Sequence, residues 1–161
     1  MSVSYELLER QVHALLDGEP DPIANAANFA AFVLSEVPGL NWAGFYFVRA
    51  RNELVLGPFC GKPACTRLSA GSGVCGAAVT RRATVVVDDV RTFDGHIACD
   101  TASRSELVVP LLYGGEVVGV FDVDSPTLAR FSLSDREGIE RLVAVFSRST
   151  SLAAPPAPSV R

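Results

Sequence analysis

The pair Gly114-Gly115 stands between two nine-residue runs, 105–113 and 116–124, each rich in branched apolar residues. A two-residue Gly-Gly link between such runs is a strong signal for a tight antiparallel hairpin, because both positions accept positive φ. The hairpin commits the second half of the chain to antiparallel pairing. By alternation, Glu116, Val118, Val120, Asp122 and Asp124 share one face of the second strand. If Tyr113 pairs with Glu116, Asp122 falls opposite Leu107 and Asp124 opposite Ser105, and Glu106 points to the other face. Bringing Glu106 together with the two aspartates requires a one-residue bulge, for which Pro110 and Gly119 are the candidate places.

Around this hairpin the periodicities change from two to near four. Tyr5, Leu8, Val12, Leu15 and Leu16 place an amphipathic helix over 4–17, ended by Gly18. A second helix starts at Asp21-Pro22, runs to about Glu36, and is apolar nearly all round, the pattern of a buried helix. Residues 41–49 and 53–59 read as a hairpin across Ala50-Arg51-Asn52. Gly- and Pro-rich sequence follows from Gly61 to Gly73, then a short helix over 74–80 and a short strand at 84–87. Residues 88–104 form a long polar loop, of the kind that in a compact domain is usually functional or disordered. The last helix begins near Ser134, with Ser134 and Glu137 as its capping box and Ile139, Leu142, Val143 and Phe146 as its apolar stripe. The reading is one α+β domain over 1–150, a mostly antiparallel central sheet flanked by N-terminal and C-terminal helices. Residues 151–161 are a Pro-rich tail that reads as disordered.

At 161 residues the chain can bury a core without disulfide or metal staples. Its net charge of −4 and pI near 5.1 argue against nucleic acid or an anionic membrane as main partner. No apolar run reaches the roughly 18 to 20 residues of a membrane span. No basic-then-apolar leader is visible at the N-terminus, so the expected location is cytoplasmic.

In that setting four cysteines, Cys60, Cys65, Cys75 and Cys99, suggest redox or metal chemistry more than a structural framework. The alternative is small buried core residues. No two of them form C-x-x-C, which removes the thioredoxin motif and ribbon-type zinc sites. Cys75 falls in the first turn of an expected helix, where the dipole favours a thiolate. Cys99 follows His96 by three residues but has Asp100 beside it, which opposes ionisation. Local electrostatics do not rank the two. Asp122 and Asp124 mark either a solvated strand end or the wall of a polar pocket, and Glu106 is by itself an ordinary strand-edge charge. Trp42, Gly44, Tyr46 and Val48 share a face, and Gly44 leaves a slot between two aromatics that either seats a small ligand or is packed as core.

Taken together, NWAGFYF at 41–47, GKPACTRL at 61–68, GVCGAA at 73–78, GHIACD at 95–100, SELVVPL at 105–111 and FDVDSP at 121–126 resemble the free methionine-(R)-sulfoxide reductase family. These are small proteins of one GAF domain, and the resemblance covers roughly residues 5–146. It implies Cys99 as the catalytic cysteine, and Cys65 and Cys75 as resolving cysteines, with Cys65 ahead of Cys75 as the direct partner of the nucleophile. It implies Trp42, Tyr46, Glu106, Asp122 and Asp124 as substrate-pocket residues. The implied substrate is free methionine sulfoxide of the R configuration. No bound cofactor or metal is expected, thioredoxin is the external reductant, and a homodimer is the expected assembly. Cys60 departs from the family pattern, as an unused thiol or a second disulfide route with Cys65. Sulfoxide reduction needs a thiolate and a protonated acid. Glu106, held neutral by Asp122 and Asp124, is the expected acid, and the remaining carboxylates would take the substrate's ammonium. The rival expectations are a non-enzymatic GAF sensor of a small molecule, and a thiol redox or metal-binding protein without turnover.

Overall fold

The computed structural model describes residues 3–50, 52–96 and 99–153. The elements run α1 (Tyr5–Leu16), α2 (Pro22–Glu36), β1 (Trp42–Ala50), β2 (Glu53–Gly61), β3 (Arg67–Ser69), α3 (Gly73–Arg81), β4 (Val85–Val87), β5 (Ser105–Tyr113), β6 (Glu116–Ser125) and α4 (Leu133–Ser149). The six strands form one sheet in the order β3-β2-β1-β6-β5-β4, antiparallel at every pair. This is the α+β arrangement expected from the sequence. Both terminal helices lie on the same side of the sheet, with α2 beside them. Their apolar stripes enclose Phe45, Leu107, Leu111, Phe121 and Val123 in the larger core. The opposite face is covered by α3 and the irregular segments, around Trp42, Tyr46, Val108 and Val120.

The β5–β6 hairpin carries the decisive irregularity. Next to the turn, Tyr113 pairs with Glu116 and Leu112 with Val117, as the Gly-Gly link requires. Leu111 then pairs with Gly119, leaving Val118 as an extra residue in β6. The bulge lies one residue before Gly119. Beyond it Leu107 faces Val123, Val108 faces Asp122, and Glu106 faces Asp124. Val118 therefore leaves the face expected from simple alternation and joins the helix-side core.

Three other expectations are corrected. The α4 cap is Ser132 with Asp135, two residues earlier than Ser134 with Glu137. The Asp135 amide donates to Ser132 Oγ at 3.2 Å, while the Ser132 amide donates to the Asp135 carboxylate at 2.9 Å. Asp135 is preferred because it also accepts the Tyr5 hydroxyl at 2.8 Å and pairs with Arg130 at 3.0 Å, tying α1 to α4. Gly138 permits that close approach, since a Cβ there would overlap the Tyr5 ring. Helix α2 is not buried all round: Ile23 is 69% exposed. The Gly- and Pro-rich stretch contains the short strand β3, which adds an edge to β2. The packing runs on past residue 150, because Leu152 is buried and the Ser151 amide donates to the Pro20 carbonyl. The tail from 154 lies outside the described residues.

Replacing Asp135 by Ala removes the cap, the Tyr5 acceptor and the Arg130 partner together. It should lower the unfolding free energy by about 2 kcal/mol, with Tyr5→Phe costing about 1 kcal/mol. Urea unfolding monitored by circular dichroism checks both values.

Candidate active site

The bulge aligns three acidic side chains on one face. Across β1 and β6, Trp42 pairs with Asp124 and Gly44 with Asp122. Across β5 and β6, Glu106 pairs with Asp124. Side chains directly opposite in antiparallel strands point the same way. Glu106, Asp124 and Trp42 thus form one transverse row, with Asp122 in the adjacent row. The Gly44 slot holds no ligand space: a Cβ there would overlap the Phe59 Cβ and the edge of the Trp42 ring, which fill it. Trp42 stacks on Phe59 with centroids 5.5 Å apart, and on Tyr46 at 6.1 Å.

Above this floor opens a cleft. Trp42, Tyr46, Cys75, Cys99, Glu106, Asp122 and Asp124 all line it. Cys65 and Cys99, 34 residues apart, are joined by a disulfide with Cα atoms 5.3 Å apart. The segment that carries Cys65 is held by the polar ends of the two aromatics. Trp42 Nε1 donates to the Lys62 carbonyl at 3.1 Å, and the Tyr46 hydroxyl donates to the Cys65 carbonyl at 2.9 Å. Cys60 pairs with Ala43, a member of the helix-side core, so its side chain points away from the cleft. It is a free thiol on the opposite face, not a second route to Cys65.

Cys75 is buried and free, and its thiol donates to Asp122 Oδ2 at 3.6 Å. The thiolate character expected from its place in the first turn of α3 does not arise. Burial pushes the thiol well up, and Asp122, Glu106 and Asp124 push it further. The carboxyls shift in the same sense. Burial, then Asp122 and Asp124, raise Glu106 far above the ordinary glutamate range. Burial and Asp124 raise Asp122, although its hydrogen bonds from Cys75 and Glu106 act in the opposite direction. Burial raises Asp124 to about 7, with the Ser103 hydrogen bond opposing and Asp100 adding to it. Among the described residues lining the cleft there is no lysine or arginine to stabilise the anions. Protons must do so instead. Burial also keeps His96, at the cleft rim, below its ordinary pKa and therefore neutral near pH 7.

Some residues of the site were not singled out in the sequence. Ser103 bonds Asp124, and Asn41 Nδ2 in turn donates to Ser103 Oγ at 3.2 Å. Pro63, Ala64 and Leu68 form an apolar wall. Asn41 stands at the head of the NWAGFYF block, which was a usable signal; Ser103 had none. Asp122 Oδ1 is buried without any partner. Cys75, Glu106 and Asp122 also place one donor atom each within 4.8 Å of one another, close enough to hold a divalent cation. No helix among the described residues is long and apolar enough to cross a membrane.

The GAF domain family model matches residues 24–148. The free methionine-R-sulfoxide reductase of Escherichia coli strain K12 is 46% identical over 144 residues, 89% of this chain and 87% of that protein. The structure of the free methionine-R-sulfoxide reductase from Neisseria meningitidis in complex with its substrate is 42% identical. It superposes with a TM-score of 0.86, covering 90% of this chain and 87% of that one. The reduced form of the Staphylococcus aureus fRMsr is also 42% identical, with a TM-score of 0.88 over 92% and 96% of the two chains.

The raised pKa of Asp124 has a definite sign for stability. The folded state binds a proton that the unfolded state, near 3.8, releases. This contribution is fully present below about pH 3.8 and is lost as the pH rises through about 7. From pH 6 to pH 8 the ligand-free protein should therefore lose about 1.4 kcal/mol relative to Asp124→Asn. Denaturant unfolding of both proteins at the two pH values measures the difference, and parallel pH dependences would contradict it.

Proposed function

Because the chain belongs to the free methionine-(R)-sulfoxide reductase family of GAF-domain proteins, we propose that it reduces free L-methionine (R)-S-oxide to L-methionine through Cys99. The observation that carries this reading is the Cys65–Cys99 bond at a cleft floored by Glu106, Asp122 and Asp124. The chain is an oxidoreductase acting on methionine sulfoxide.

The chemistry follows from the parts. In the reduced protein the Cys99 thiolate attacks the sulfoxide sulfur. The S–O bond breaks only as the oxygen takes a proton, which Glu106 supplies from the row it shares with Asp124. The hydroxyl passes to the Cys99 sulfur as the bond between the two sulfurs opens, methionine leaves with that bond's electron pair, and Cys99 is left as a sulfenic acid. The Cys65 thiol then displaces water from that sulfenic acid and forms the disulfide. An external dithiol, thioredoxin in this reading, reduces the disulfide by exchange. No bound cofactor enters the scheme.

The carboxyls also set the substrate class. A free amino acid brings an ammonium to the cleft, and Asp122 Oδ1 is an acceptor with nothing to accept. A methionine sulfoxide inside a polypeptide has no such ammonium. The rings of Trp42 and Tyr46 face the apolar part of the substrate, while their polar ends hold the Cys65 segment within reach of Cys99. The homodimer belongs to the same proposal, with Leu7 and Leu15 exposed on α1. One other reading has an observation of its own: the Cys75, Glu106 and Asp122 donors suit a metal. Stoichiometric zinc in protein purified under reducing conditions, without turnover, would favour it.

Incubation with the separate R and S epimers of free methionine sulfoxide, thioredoxin, thioredoxin reductase and NADPH tests the assignment. The R epimer should be consumed and the S epimer not; equal turnover of both, or none, sinks it. Cys99→Ser should abolish turnover. Cys65→Ser should release one methionine per chain and then stall with a sulfenic acid on Cys99.

A further inference from the structure

We propose that Cys75 is a positioning residue of this site rather than a resolving thiol: its S–H holds Asp122 Oδ2 so that Oδ1 stays aimed at the substrate. The inference rests on the reading above and assigns a place in it to a thiol that the disulfide leaves unused.

Three observations converge. The Cys75 Sγ donates to Asp122 Oδ2 at 3.6 Å, within reach of a thiol hydrogen bond, and both residues are buried. The other oxygen, Oδ1, is buried with no fixed donor, and Glu106, the other side chain hydrogen-bonded to Asp122, gives its proton up to the substrate in the reaction. A carboxyl with one oxygen fixed and the other vacant is a prepared acceptor, since an unpaired buried acceptor is costly unless a ligand completes it. Finally, α3 is pinned at this point. A Cβ on Gly76 would meet the Ser69 carbonyl oxygen at 3.0 Å and the backbone of Ala70 and Gly71 at 3.2 Å. The helix turn that carries Cys75 is packed directly on the β3–α3 connection. Forming a disulfide with Cys99 would have to break the Asp122 bond, whereas Cys65 already pairs with Cys99.

The two roles separate cleanly in the Cys75→Ser and Cys75→Ala variants. Serine keeps a donor but cannot form a disulfide; alanine keeps neither. With excess reductant, Cys75→Ser should retain kcat and KM within about threefold of the wild type. Cys75→Ala should raise KM for free methionine (R)-sulfoxide about tenfold, the cost of an unheld acceptor. Both variants should still form the Cys65–Cys99 disulfide after one turnover, as peptide mapping of alkylated protein would show. The proposal is overturned if serine and alanine lose activity equally and stall at the Cys99 sulfenic acid. It is equally overturned if wild-type protein quenched after one turnover contains a disulfide to Cys75.

A further readout does not depend on turnover or on either Cys75 variant folding. The infrared S–H stretch of the wild-type protein should include a hydrogen-bonded band that moves in Asp122→Asn. An unchanged band would contradict the contact. Failure of the wild type to reduce either epimer would overturn the functional reading instead, and leaves this spectroscopic test in place.

Discussion

One extra residue in β6 governs the rest of the molecule. Without Val118 out of register, Leu107 would share a face with Asp122, and Glu106 would lie on the helix side among Phe121 and Val123. The apolar positions of β5 and β6 can reach the same core only if the strands slip by one residue between the turn and the middle. The turn itself cannot slip, because Gly114 and Gly115 both take positive φ there. The bulge reconciles a fixed turn with a fixed core. The acidic row is the other face of that solution.

The two faces of the sheet then carry different work. The helix side is an apolar core in which Phe29, Phe45, Phe121 and Phe146 meet ring to ring. The other side holds three carboxyls and a thiol with no cation among the described lining residues. Such a cluster opposes folding whenever it ionises, so the fold tolerates it by keeping protons bound. A site with bound protons suits a reaction that consumes one. Trp42 and Tyr46 join the two halves of the site: their rings floor the cleft, and their N–H and O–H groups anchor the segment bearing Cys65.

Much of this was legible in the sequence. The hairpins, the four helices and the antiparallel sheet follow from period and from Gly, Pro and Asn signals. The need for a bulge followed from placing Glu106 on the face of Asp122 and Asp124. The cysteine roles did not follow from local electrostatics. Cys75 looked activated by a helix N-terminus, and only the fold shows that its thiol faces carboxyls. The cap of α4 was misplaced because Ser132 and Asp135 compete well only through Tyr5, 130 residues away. The strand β3 was hidden in Gly- and Pro-rich sequence because an edge strand of three residues has too short a pattern to read. Ser103 was invisible for a similar reason: its partner Asp124 is contributed by another strand.

The account depends most on Glu106 holding a proton at neutral pH. Carbon-13 NMR of the labelled glutamate side chains, assigned with Glu106→Gln, measures this in the ligand-free protein. The account predicts that the Glu106 carboxyl shows the chemical shift of a protonated acid at pH 7, while exposed glutamates are ionised. A Glu106 signal that titrates with the exposed glutamates, in the ordinary acidic range, would contradict it.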